Sequence, residues 1–389
     1  MWRWAIVAVI GLAVIVIGFS LADVATSGDV DASAVLSGTV DTSGFARAYQ
    51  ARDWQFPRDF AAHDEFQTEW WYYTGNLTTD DGRHFGYQFT IFRRALTPGG
   101  AVNADQSEWR TNQVYMAHFA VTDVAEERFF HEERFARASA DLAGATLEPS
   151  YRVWLEDWAI SGTNDAATER RIRARMTDGA EIDFALQIAA PPALHGANTD
   201  GLSAKSAEPG NASYYYSLTR MPTNGTITIG DQVFRVAGNT WMDHEFSTSA
   251  LGTNALGWDW FGLQFDDGRD MMIGQIRLTD GGKDPYFGGL LVNADGSTQY
   301  LPSDAITITP LAVWTSPHTG SVYPSGWTIS VTPESGDAFT FTATPQILDQ
   351  ELYGGDIAYW EGTVRLDGDV TGYGYAELTG YVDALTGRF

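Results

Sequence analysis

Apolar and polar residues alternate with a period of two along most of this chain. Phe85, Tyr87, Phe89 and Ile91 fall on one face of a run whose other face carries Gly86, Gln88 and Thr90, which predicts a half-buried strand. Similar runs occur at 114–122, 153–160, 172–176, 182–188, 214–219 and 232–236, nearly all separated by turn residues. The final run is Tyr373-Gly374-Tyr375-Ala376-Glu377-Leu378-Thr379-Gly380-Tyr381, with one bulky, polar-tipped face and one nearly bare. After residue 22 no long amphipathic helix is written into the sequence. Short strands at roughly ten-residue spacing predict antiparallel sandwiches or closed barrels, and closure would remove the exposed edges of such aromatic strands.

Two of the hairpins resemble each other. Trp70-Trp71-Tyr72-Tyr73-Thr74-Gly75 runs to the turn Asp80-Asp81-Gly82-Arg83, and Trp258-Asp259-Trp260-Phe261-Gly262 runs to Asp266-Asp267-Gly268-Arg269. The glycines supply the positive φ that tight hairpin turns need. Gly82 and Gly268 lie 186 residues apart, so the repeating unit is a whole domain and not a short solenoid repeat. Between them, 191–211 begins with two prolines and has no clear period, which predicts a long loop that covers a barrel mouth or packs between domains.

Composition narrows the function. Fifty acidic against twenty-four basic residues give a net charge of −26, a surface that repels phosphate backbones and excludes a nucleic-acid partner. Without cysteine there are no disulfides and no thiolate metal sites. Trp4 to Ala22 is an uncharged apolar stretch preceded by Arg3, read as a membrane anchor or a signal peptide, with Ser20-Leu21-Ala22 as a small-x-small cleavage pattern. It places the rest of the chain on the periplasmic side of a bacterial inner membrane. The expected organisation is this segment at 1–22, a flexible spacer at 23–55, a first domain at 56–238 and a second at 239–389.

The chemistry-bearing signal is Trp241-Met242-Asp243-His244-Glu245-Phe246, followed by Gly257-Trp258-Asp259-Trp260. On a strand Asp259 shares its face with Phe261, Leu263 and Phe265. It is either a proton donor with a raised pKa or an acceptor for a neighbouring indole or amide. His244 is an acid, a base or a structural hydrogen-bond partner. Glu69, His118 and Glu377 face the same choice. Asp243, His244 and Glu245 point to alternate faces and cannot jointly hold one ion, so no metal and no cofactor are expected. The Gly-x-Ser-x-Gly elbow of one hydrolase class is missing, as is a phosphate-binding loop.

From Phe56 to Phe389 the chain resembles the AttH-like and carotenoid 1,2-hydratase family of two-domain lipocalin-like proteins. The resemblance rests on Glu69 to Gly75, Gly86 to Thr90, Leu142 to Ala145 with Val153 to Trp158, Asn211 to Ser217, Trp241 to Glu245 and Glu377 to Tyr381. It implies an all-β fold of two calycin-type antiparallel barrels and a cavity for an apolar, isoprenoid-like ligand. In the hydratase branch it implies addition of water across a terminal C=C bond, with Asp259 and His244 as the catalytic residues. The ligand would then lie against Trp71, Tyr73, Trp241, Glu245, Phe246, Trp258 and Trp260. Two aromatic positions of the hydratases are occupied here by Phe246 and Gly257. A non-catalytic carrier of an apolar small molecule is the alternative, with a secreted hydrolase or a cyclase behind it. The sequence leaves the oligomeric state open.

Overall fold

The computed structural model describes residues 42–99, 111–248, 251–252, 254–355 and 357–385. The apolar segment at 1–22 and most of the spacer therefore lie outside the described residues. Within these, two single-turn 3-10 helices, Arg58–Phe60 and Ser303–Ala305, are the helical content, and no helix is long and apolar enough to cross a membrane.

Everything else of regular structure is antiparallel strand. The first sheet contains β1 (Thr68–Thr78), β2 (His84–Ala95), β3 (Gln113–Asp123), β4 (Arg128–Arg137), β5 (Ala143–Thr146), β6 (Arg152–Leu155), β7 (Trp158–Gly162), β8 (Glu169–Arg175) and β9 (Ala180–Gln187). It is completed by the short β10 (Ala193–Leu194) and β11 (Leu202–Ala204) and by the long β12 (Ala212–Ile229) and β13 (Gln232–Ser247). The second contains β14 (Ala255–Phe265), β15 (Asp270–Leu278), β16 (Gly289–Val292), β17 (Thr298–Leu301), β18 (Ile306–Thr315), β19 (Val322–Val331), β20 (Phe339–Pro345), β21 (Glu351–Leu352), β22 (Tyr359–Gly368) and β23 (Gly372–Leu378). The sheets curl into a barrel and a half-barrel, as two lipocalin-like units should.

Their strand orders correspond. The first runs β4-β3-β2-β1-β13-β12-β9-β8-β7 and continues through β6 and β5; the second runs β17-β16-β15-β14-β23-β22-β20-β19-β18. In each, the hairpin seen in the sequence is central, and the last strand of the unit pairs with the first. The two turns have Gly82 at φ 87° and Gly268 at φ 89°, conformations that a side chain would strain. The repeat read from the sequence is thus a repeat of topology.

The sequence placed the domain boundary near Gly238. Strand β13 passes through Gly238 without a break, pairing with β1 from Thr78↔Ala237 to Thr68↔Ser247. The change of sheet falls between Ser247 and Ala255, because closing the first sheet requires the full length of β13. The loop expected at 191–211 packs between the sheets, as one expectation had it, and also contributes β10 and β11 to the edge of β12.

Strand alternation sorts side chains into three compartments. Trp71, Tyr73, Tyr87, Phe89, Trp158, Phe184 and Met242 fill the first barrel, and Phe261, Leu263, Phe265, Trp327, Phe341 and Val364 fill the second. The residues between them, Tyr72, Tyr215, Trp241, Trp260 and Tyr375, form a third cluster between the outer faces of the two sheets. Both interiors are filled by clustered aromatic and aliphatic side chains.

Polar ties bridge the same seam. A bulge in β12 between Leu218 and Met221 turns Arg220 across to Asp270 at 2.6 Å, with Thr219 donating to the other oxygen of that carboxylate at 2.8 Å. Farther along, Asn76 donates to the Gly374 carbonyl at 3.0 Å and the Thr122 hydroxyl donates to Gln350 Oε1 at 2.8 Å.

Candidate active site between the barrels

A cavity of about 110 Å³ opens within the seam. The first sheet contributes Trp70, Tyr72, Phe92, Tyr215, Asp243, Glu245 and Ser247; the second contributes Trp258, Trp260, Ile276 and Glu377; Lys205, Leu251 and Phe287 come from loops. In each strand these are alternate residues, those pointing away from the barrel interior.

Two carboxyls on this lining are unusual. Asp243 is buried, which pushes its carboxyl up to about 7 although three donors oppose the shift. Those donors are the Ser217 hydroxyl on Oδ1, the Tyr215 hydroxyl on Oδ2 at 2.6 Å and the Trp241 indole N–H on Oδ1 at 2.7 Å. Glu377 is also pushed up to about 7, mainly by burial and further by the charges of Asp243 and Glu245. One donor, the Trp258 indole at 3.0 Å, opposes it. Near neutral pH both acids are therefore close to half-protonated.

The surroundings are aromatic. Tyr72 meets Trp260 edge to face at 5.1 Å, and the Trp260 indole donates to the Tyr215 hydroxyl at 3.2 Å. Lys205 pairs with Glu245 at 2.7 Å while its ammonium sits 4.5 Å from the Phe287 ring. Glu361, fully buried, is the register partner of Glu377 on β22. The Tyr72 and Tyr359 hydroxyls face its carboxyl without an aligned hydrogen bond to either oxygen, and burial followed by the Glu377 charge keeps it well above the usual carboxylate range.

The structure separates the residues singled out in the sequence. Trp258, Trp260 and Glu245 line the cavity, and Trp241 stands behind it, holding Asp243. Asp259 does not line it. It lies on the inner face of β14, where Arg277 Nε at 3.1 Å, Gln275 Nε2 at 2.8 Å and the Tyr381 hydroxyl at 3.0 Å all donate to its carboxylate. Burial raises its pKa against the Arg277 charge, but the group is a brace at the barrel end. A side chain at 257 would strike the Thr379 carbonyl oxygen, 2.4 Å from the Cβ position, so glycine there is a packing requirement.

His244 also faces inward. Its Nε2 lies 2.7 Å from Glu69 Oε1 and its Nδ1 lies 2.8 Å from the Tyr216 hydroxyl; burial lowers its pKa to about 4, so the ring is neutral. Trp71 stacks on it at 4.9 Å, Phe246 stacks on His63 at 3.6 Å, and the Tyr73 hydroxyl accepts from Arg170 at 2.7 Å; these three belong to buried clusters away from the cavity.

Glu69 joins His63 and His244, with ligand-type atoms of all three within 4.8 Å of one another. Glu69 Oε1 is 2.8 Å from His63 Nδ1 and 2.7 Å from His244 Nε2, which are hydrogen-bond separations. Ligands held at zinc bond lengths stand about 3.3 Å apart around a tetrahedral ion. Arg93, with no exposed surface, donates to Glu69 Oε2 at 2.8 Å and already matches its charge. The network ties the 59–69 segment to the barrel.

Asp243 and Glu377 thus stand where the sequence put Asp259 and His244. A signal for them existed. Trp70-Trp71-Tyr72-Tyr73 has no polar face, and a strand apolar on both faces is buried on both.

Comparison with known proteins agrees with this architecture. A protein of Nitrosomonas europaea assigned as AttH has 35% identity and a TM-score of 0.74, covering 87% of this chain and 100% of its own. Kievitone hydratase from Nectria haematococca shares the fold at 15% identity and a TM-score of 0.61, covering 88% of this chain and 98% of its own. No curated protein matches the chain. The AttH-like family model matches residues 47–381, and the chain belongs to the AttH-like family.

Proposed function

We propose that the protein takes the end of an apolar, isoprenoid-like molecule into the seam between its barrels and adds water across a C=C bond there. The observation that carries this reading is the pair of carboxyls, buried Asp243 and half-buried Glu377, offered from opposite barrels to one aromatic cavity. Hydration of an unactivated alkene needs a carboxylic acid to protonate carbon, an environment that tolerates a tertiary cation, and a base for the incoming water.

Glu377, with a single donor on its carboxylate, is the acid. It gives its proton to the less substituted alkene carbon, and the faces of Tyr72 and Trp260 are available to the cation. Asp243, whose carboxylate three donors support, takes a proton from water as the oxygen bonds to the cation. The product is a tertiary alcohol, with the proton lost by Glu377 regained at Asp243. An engineered cavity of about 150 Å³ holds a benzene ring, so free space of this order admits a branched chain end and not a whole polyene.

The test is incubation with an acyclic isoprenoid alkene in heavy-oxygen water. Labelled alcohol from the wild-type protein, lost in Glu377→Gln and in Asp243→Asn, supports the reading. Binding of the alkene without labelled product would leave a carrier of apolar ligands.

A further inference from the structure

A second cavity, of about 390 Å³, shares Phe287 with the first. The 195–212 segment forms one wall, and Met272 with 285–289 of the second sheet forms the other. One residue of that wall leads to the catalytic seam. His195 is buried, stacks face to face on Tyr215 at 3.7 Å, and places Nε2 2.6 Å from the Ser217 hydroxyl. Ser217 in turn donates to Asp243 Oδ1. Among the described residues no hydrogen bond is made by His195 Nδ1.

We propose that His195 and Ser217 form a relay that exchanges the Asp243 proton with water in the second cavity. This rests on the reading of Asp243 as the base of the seam, since each hydration leaves a proton on Asp243, which must go before the next, and a bare carboxylate at Glu377, which regains its proton from water in the first cavity.

The hops balance. The Asp243 carboxyl proton passes to Ser217 Oγ as the Ser217 hydroxyl proton passes to His195 Nε2, and the imidazolium then releases its Nδ1 proton to cavity water. Neutral His195, now with hydrogen on Nε2, is reset when the ring turns out of its bond to Ser217, gives the Nε2 proton to cavity water and takes one from that water on Nδ1. Burial and the Lys205 charge hold His195 well below the usual histidine range, so the imidazolium is a short-lived carrier. Tyr215 and Trp241 bond Asp243, and Tyr72, Lys205, Glu245, Ser247 and Glu377 are further polar groups on its pocket. Tyr215 donates to the other carboxyl oxygen and the Trp241 indole shares Oδ1, whereas the Ser217 hydroxyl on Oδ1 continues to His195 and the second cavity. Neither His195 nor Ser217 lines the first cavity, so both are positioning residues acting through Asp243.

The experiment needs no substrate. Rapid mixing of the protein into heavy water, followed by infrared detection of the protonated carboxyl stretch that disappears in Asp243→Asn, gives the exchange rate of this one proton. Ser217→Ala and His195→Gln should slow exchange roughly tenfold or more, Ser217→Thr should keep it fast, and added imidazole should restore it in His195→Ala. Near-ultraviolet circular dichroism identifies variants that retain the fold, and Ser217→Thr keeps the question open to measurement if Ser217→Ala does not fold. Equal exchange rates in the folded variants would overturn the relay. Failure of hydration with normal exchange would overturn the proposed reaction and leave the relay standing.

Discussion

Asp243 and His244 are consecutive residues that serve different compartments. Asp243 faces the inter-barrel cavity with Tyr215 on its Oδ2 at 2.6 Å, and His244 faces the first barrel's interior with Glu69 on its Nε2 at 2.7 Å. One step along an extended backbone reverses the side chain. The same reversal separates Asp259 from Trp258 and Trp260. Assigning the chemistry to Asp243 and Glu377 has consequences that differ from those of assigning it to Asp259 and His244.

The pocket acids should lower stability at alkaline pH. Their folded pKa values, about 7, lie above the ordinary carboxylate values of 3.8 and 4.5 from which they are raised. Between about pH 4 and 7 the folded state binds more protons than the unfolded state, so stability falls as pH rises through that window. Asp243→Asn with Glu377→Gln should flatten this slope and gain a few kcal/mol at pH 8 relative to pH 4, read from urea unfolding at both pH values.

Asp259→Asn should act on the fold and not on the site. It leaves Arg277 with a weaker partner, and about 1–3 kcal/mol of stability should be lost while ligand affinity is unchanged. A large loss of affinity without loss of stability would return Asp259 to the site.

Glu69→Gln should be more damaging. Arg93 would remain buried with only the exposed Asp64 carboxylate, 3.8 Å away, as a counter-charge, and losing one partner of a buried pair costs about 3–5 kcal/mol. The same pair predicts acid sensitivity: Arg93 and the two histidines hold Glu69 well below its ordinary range despite burial, so its contribution is present above the unfolded pKa and is lost as pH falls through the folded one. Denaturant midpoints of wild type and variant measured across acid pH should converge.

Ile276→Trp should close the cavity. The indole would occupy much of the space beside Trp258 and Trp260, and binding of an apolar probe should fall at least about tenfold while the melting temperature moves little. Retained binding would place the ligand elsewhere.

Much of the fold was legible because its determinants are local. The Asp-Gly-Arg turns at Gly82 and Gly268 and the alternation around Phe85–Ile91 gave hairpins, and the two copies sit in two sheets of like strand order. Even the face of Asp259 was correct, shared with Phe261, Leu263 and Phe265. What alternation could not supply was which face looks into a barrel and which meets the other barrel, because both faces of β1 and β14 carry aromatic residues. That choice is tertiary. It moved Trp71, Tyr73, Phe246, Asp259 and His244 off the cavity and brought Asp243 and Glu377 onto it. The boundary near Gly238 missed for a related reason: β13 reads as two runs around Gly238 but is one strand with continuous pairing to β1.

Placing the cavity on outer faces divides labour along each strand. In β13, Met242 and Phe246 answer to packing while Asp243 and Glu245 line the cavity, and in β14 the same holds for Phe261 against Trp258 and Trp260. Substitutions at the second set leave both interiors intact. Such a scaffold can exchange one apolar partner for another by altering every other residue of a few strands, and needs no redesign of either core.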